Sequence, residues 1–62
     1  MTTKHIRCGS LVIGSIRKSN SYYELYINQT SQGLFATYHA IHLWLLAQMP
    51  EIPEKCLHYD NV

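Results

Sequence analysis

The stretch from Tyr38 to Met49 constrains this chain more than any other part of it. Tyr38, Ile41, Leu45 and Met49 recur at helical spacing and make one stripe at about 100° per residue. Ala40, Leu43, Trp44 and Ala47 lie mostly outside that stripe, and only Thr37, His39, His42 and Gln48 interrupt the apolar surface. Thr37 is the natural N-cap, because its hydroxyl can accept from a free amide of the first turn. Pro50 ends the helix, since the residue before a proline is pushed out of the helical region. The pattern predicts a helix over 38–49. A start near Ser31 is the alternative, but Gly33 and the Thr37 cap favour the later one.

A helix apolar nearly all round must be covered on more than one side. A chain of 62 residues has little structure of its own to do this. Unless the tail alone covers Leu43 and Trp44, the expectation is a homo-oligomer or a stable protein partner.

The helix follows a strand-rich half. Leu11-Val12-Ile13-Gly14-Ser15-Ile16 is short and β-branched, with Gly14 marking a bulge or a close backbone approach. Lys18 to Ser21 is rich in turn formers and predicts a hairpin loop. Tyr22 to Asn28 alternates cleanly: Tyr23, Leu25 and Ile27 fall on one face, and Tyr22, Glu24 and Tyr26 on the other. Gln29 to Gly33 is the next expected turn, and Leu34-Phe35-Ala36 a third short strand. Lys4 to Cys8 alternates as an extra strand or an extended lead-in.

The expected fold is therefore α+β: a three-stranded antiparallel meander over 11–36 packed on one helix over 38–49. Residues 1–10 form an N-terminal extension or extra strand, and 50–62 an ordered tail. The whole is one small domain.

Charge and motifs exclude more than they identify. The net charge is +1, too small for a dedicated polyelectrolyte binder. It is unevenly placed: Lys4, Arg7, Arg17 and Lys18 stand against Glu24 in the first half, and Lys55 against Glu51, Glu54 and Asp60 in the second. Cys8 and Cys56 could form one disulfide, but small secreted scaffolds usually carry more cysteines. No signal-peptide or membrane-span pattern occurs, so a cytoplasmic protein with buried, reduced thiols is expected. The Asn28-Gln29-Thr30 glycosylation pattern is then read as unused.

No nucleophile elbow, phosphate-binding glycine loop or dinucleotide fingerprint is present. Glu24 is the only carboxylate before residue 51, so a paired-carboxylate site would have to recruit the tail. No enzyme activity and no cofactor are expected. The residues best suited to a structural metal are Cys8, His39, His42 and Cys56, within the pairs His5/Cys8, His39/His42 and Cys56/His58. These pairs match no standard finger spacing.

Three segments carry a resemblance. They are Gly14-Ser15-Ile16-Arg17-Lys18, then Tyr22-Tyr23-Glu24-Leu25-Tyr26-Ile27, then Gly33-Leu34-Phe35-Ala36-Thr37 with Ala40 and Trp44-Leu45. The layout resembles the arm-site DNA-binding domain of phage-type integrases, in which a three-stranded sheet packs on one helix. It is also similar to small enterobacterial cell-division and prophage regulators. The integrase resemblance implies a sheet face entering the major groove, with Arg17, Lys18, Tyr22 and Tyr26 in contact with DNA. This chain departs from it in charge, with few basic residues and Glu24 among the tyrosines.

The leading expectation is a small phage- or bacterial-type regulator or inhibitor that binds another protein, as a homo-oligomer. Tyr22, Glu24, Tyr26, Leu43 and Trp44 would form its interface, since aromatic surface with little charge suits protein contact. A DNA-binding module and a zinc-stapled domain are the alternatives.

Overall fold

The computed structural model describes residues 2–61, and the side chains of 3–61. The strands β1 (Thr2–Cys8), β2 (Leu11–Ser19), β3 (Tyr22–Ile27) and β4 (Thr30–Phe35) run in succession. The helix α1 (Tyr38–Gln48), a short 3-10 turn (Glu54–Cys56) and β5 (Leu57–Asn61) follow. The expected α+β class is present, but the sheet has five antiparallel strands in the order β4-β3-β2-β1-β5. The N-terminal segment pairs fully with β2, from Thr2 opposite Lys18 to Cys8 opposite Leu11. The tail returns across the helix layer to pair with the far side of β1.

Two-residue turns build the meander. Gly9 (φ 64°), Asn20 (φ 55°), Asn28 (φ 52°) and Gln29 (φ 65°) adopt the left-handed backbone that tight hairpins need. The turn expected at Gln29 to Gly33 sits earlier, at Asn28-Gln29, and Thr30 to Gly33 belongs to β4. Gly33 (φ 120°) serves a bulge instead: Leu25 faces Gly33 while Tyr26 faces Ser31, leaving Gln32 without an opposite number.

Gly14 fulfils the close-approach reading. A Cβ there would collide with the Tyr26 carbonyl oxygen and lie 2.8 Å from Ile27 Cδ1. The neighbouring bulge falls at Ile13, because Ile6 faces Gly14 while Arg7 faces Val12.

The helix starts where Thr37 predicts, its Oγ1 accepting from the Ala40 amide at 3.1 Å. It ends at Gln48, with Met49 as its C-cap. Ile41 and Leu45 face the sheet and pack on Ile6, Ile16 and Leu25; these five residues are fully buried. Each contributes about 1.5–3 kcal/mol by leaving water. Trp44 also packs against this core and meets Phe35 edge-on, with ring centroids 6.1 Å apart. The helix thus needs less outside cover than its composition suggests, because the sheet beneath it has five strands. Leu43 remains 53% exposed, so the tail does not cover it.

Cys8 and Cys56 form a disulfide across 48 residues of sequence, tying the end of β1 to the turn before β5. The expectation of reduced thiols is corrected here. The register places Cys8 opposite Leu57, so pairing of β1 with β5 brings the cysteines together.

Candidate functional site: the open face of the sheet

The helix covers one face of the sheet, and the other is bare. Pairing register assigns residues to it. Arg17 faces Glu24 and Ser15 faces Tyr26 between β2 and β3; Ser19 faces Tyr22 at the hairpin end. Leu34 faces Glu24 and Ser31 faces Tyr26 on β4. On the other side, Val12 faces Arg7, and His5 and Arg7 face Asp60 and His58.

Two polar networks organise this face. In the first, the Tyr26 hydroxyl donates to Glu24 Oε1 at 2.8 Å and the Ser31 hydroxyl to Glu24 Oε2 at 2.6 Å. These bonds, Ser31's first, hold the Glu24 carboxyl below its usual range, and nearby Arg17 adds to the effect. The same carboxylate pushes the Tyr26 hydroxyl up. Tyr26 is thereby fixed as a platform, and the Arg17 guanidinium lies over its ring at 5.4 Å from the centroid.

In the second network, Arg7 Nε donates to Asp60 Oδ2 at 2.6 Å, and Arg7 also donates to the Gly9 carbonyl. The Arg7 bond holds Asp60 below its usual range, and the charges of His58 and His5 act in the same direction. Between the networks lies an open depression of about 510 Å³, lined among others by His5, Val12, Ser15, Arg17 and Tyr26.

The face also carries exposed apolar groups. Leu34 is 64%, Tyr22 54% and Val12 52% exposed. The alternation in β3 therefore reads correctly: Tyr22, Glu24 and Tyr26 share this face. Leu43 and Trp44 do not join them, because α1 lies on the opposite side of the sheet. The five expected interface residues form no single surface, and Trp44 is partly buried against the core.

The expected DNA-contact set divides as well. Arg17, Tyr22 and Tyr26 share the open face. Lys18, one residue on, projects to the helix side, with its ammonium 5.7 Å from the Tyr23 ring centroid. Sequence reasoning missed Arg7 with Asp60, Ser31 and Leu34, since their roles depend on β1, β4 and β5 being strands.

The metal set is corrected. The Cys8 and Cys56 sulfurs are bonded to each other, so neither is a thiolate ligand. Among the described residues no three His, Cys, Asp or Glu side chains converge on one point.

His42 is instead a bridge. Its Nδ1 is 2.7 Å from the Tyr59 hydroxyl and its Nε2 is 2.7 Å from Glu54 Oε2. A neutral ring satisfies both, accepting from Tyr59 and donating to Glu54. Tyr59 and His42 border a cleft of about 360 Å³ with Lys4, Tyr38 and His39. Burial, and then the Glu54 charge, push the Tyr59 hydroxyl up. The evident role of the Tyr-His-Glu chain is to fasten α1 to β5 and to the turn before it.

Among the described residues no helix is long and apolar enough to cross a membrane. Compared with known protein families, with curated proteins and with solved structures, the chain matches none.

Proposed function

We propose that this chain is a small non-enzymatic regulator or inhibitor that binds another protein through the open face of its sheet. One observation carries the reading: Leu34, Tyr22 and Val12 stand exposed on a face whose carboxylates already have partners of their own. Exposed apolar and aromatic groups around satisfied polar ones match the make-up of protein interfaces. The phage or bacterial setting rests on the layout resemblance alone. Self-association belongs to the same proposal, with Leu43 the most exposed large apolar residue of the helix.

DNA binding is the second reading, favoured by Arg17 lying over Tyr26 on the open face. Glu24 and Asp60 on the same face weigh against it, because phosphate contacts supply most affinity for DNA. Affinity capture from a bacterial lysate, with and without nuclease, separates the two. A protein retained after nuclease treatment and high salt, and lost with Leu34→Asp, supports the proposal. A nuclease-sensitive catch, with duplex DNA bound at low salt and released by Arg17→Ala, replaces it. Light scattering tests self-association against the 7.2 kDa monomer.

A further inference from the structure

Arg17 is the cation on the open face whose donors are unspent. The Arg7 guanidinium is committed to Asp60 and the Gly9 carbonyl. Lys18 lies on the helix side, over Tyr23. Arg17 has no hydrogen bond or ion pair among the described residues, yet it is held in place by the Tyr26 ring beneath it. The ring is itself fixed through Glu24 and Ser31. A guanidinium over an aromatic ring, with no hydrogen-bond partner of its own among the described residues, is prepared for an oxyanion. The fork borders the depression of about 510 Å³, where Ser15 and His5 supply further polar atoms.

Charge selects among oxyanions. A phosphate dianion calls for more than one cation and would be repelled by Glu24 and Asp60. A carboxylate needs one fork and one charge. We infer that the Arg17 fork receives an acidic side chain of the protein partner, seated in the depression beside Tyr26. This rests on the protein-binding reading of the same face and names the group recognised there.

The test uses the full chain, labelled with nitrogen-15, and two capped tripeptides, acetyl-Gly-Glu-Gly-amide and acetyl-Gly-Gln-Gly-amide, at constant ionic strength. Saturable shifts of the Arg17 side-chain Nε–H and the Ser15 and Tyr26 amides are expected with the glutamate peptide only. Arg17→Gln should abolish them, and Arg17→Lys should weaken them by loss of the two-pronged geometry. Equal shifts with both peptides, shifts undiminished in Arg17→Gln, or saturation by inorganic phosphate but not by the glutamate peptide would each overturn the inference. None of those results touches the protein-binding reading, which fails separately if Leu34→Asp leaves partner capture intact.

Discussion

Replacing both cysteines, Cys8→Ala with Cys56→Ala, should cost this protein most of its stability. The bridge closes 48 residues of chain. In the chain-entropy account, a loop of that length removes about 14 cal/mol/K from the unfolded ensemble, or about 4 kcal/mol at 25 °C. A domain of this size has only about 3–9 kcal/mol in total. At about 4–8 °C per kcal/mol, the melting temperature should fall by roughly 16–32 °C. Thermal unfolding followed by far-ultraviolet circular dichroism measures this, with the oxidised parent as reference and the reduced parent as a second perturbation. Reduction and the double substitution should agree. A fall below about 5 °C in both would refute the reasoning. It would mean that the β1–β5 ladder and the His42 bridge hold the tail without covalent help.

Other outcomes follow from single contacts. Gly14→Ala places a methyl group against the Tyr26 carbonyl and Ile27, and should lower the urea-unfolding free energy by about 1–3 kcal/mol. Gln29→Gly relieves a left-handed backbone at φ 65° and should raise it by about 1 kcal/mol in the same measurement. Thr37→Ala removes the cap on Ala40 and should lower it by about 1 kcal/mol, whereas Thr37→Ser should not. Glu24 and Asp60 are depressed in the folded state, so their contribution is present above the ordinary carboxylate range. It is lost as pH falls through the folded values. Stability measured from pH 6 downward should decline, and Asp60→Asn should flatten its own share of that slope.

The sequence and the structure agree where side-chain periodicity was strong. Tyr22 to Ile27 alternates because one face is buried, and Thr37 and Pro50 bracket the helix through local backbone chemistry. The Asn28-Gln29 turn was illegible because glutamine seldom takes a left-handed backbone, whereas Gly33 advertised a turn and supplied a bulge. β1 and β5 were ambiguous for another reason. Their pattern is short and mixed; β1 zips locally onto β2, but β5, expected as tail, becomes a strand only by pairing with β1 across most of the chain length. The disulfide follows from that pairing; with only two cysteines the sequence offers this bridge but does not place them side by side. The open face was half legible: β3 gave Tyr22, Glu24 and Tyr26, but the partners that fix them come from β2 and β4. Leu43 and Trp44 lie apart from the tyrosines; a helical pattern does not say which side of a sheet the helix will take.

The strand order β4-β3-β2-β1-β5 bears on how the chain folds in time. Four strands can zip through neighbouring hairpins, each closing a loop of two residues. The fifth must wait, since Lys4 meets Asn61 only after the helix has crossed the sheet. Loop-closure entropy makes such distant contacts late to form. In the reduced chain the β1–β5 ladder should therefore form last, whereas in the oxidised protein the Cys8–Cys56 bridge has already closed that loop. Amide hydrogens of β5 should exchange faster than those of β2 and β3, and reduction of the disulfide should widen that gap.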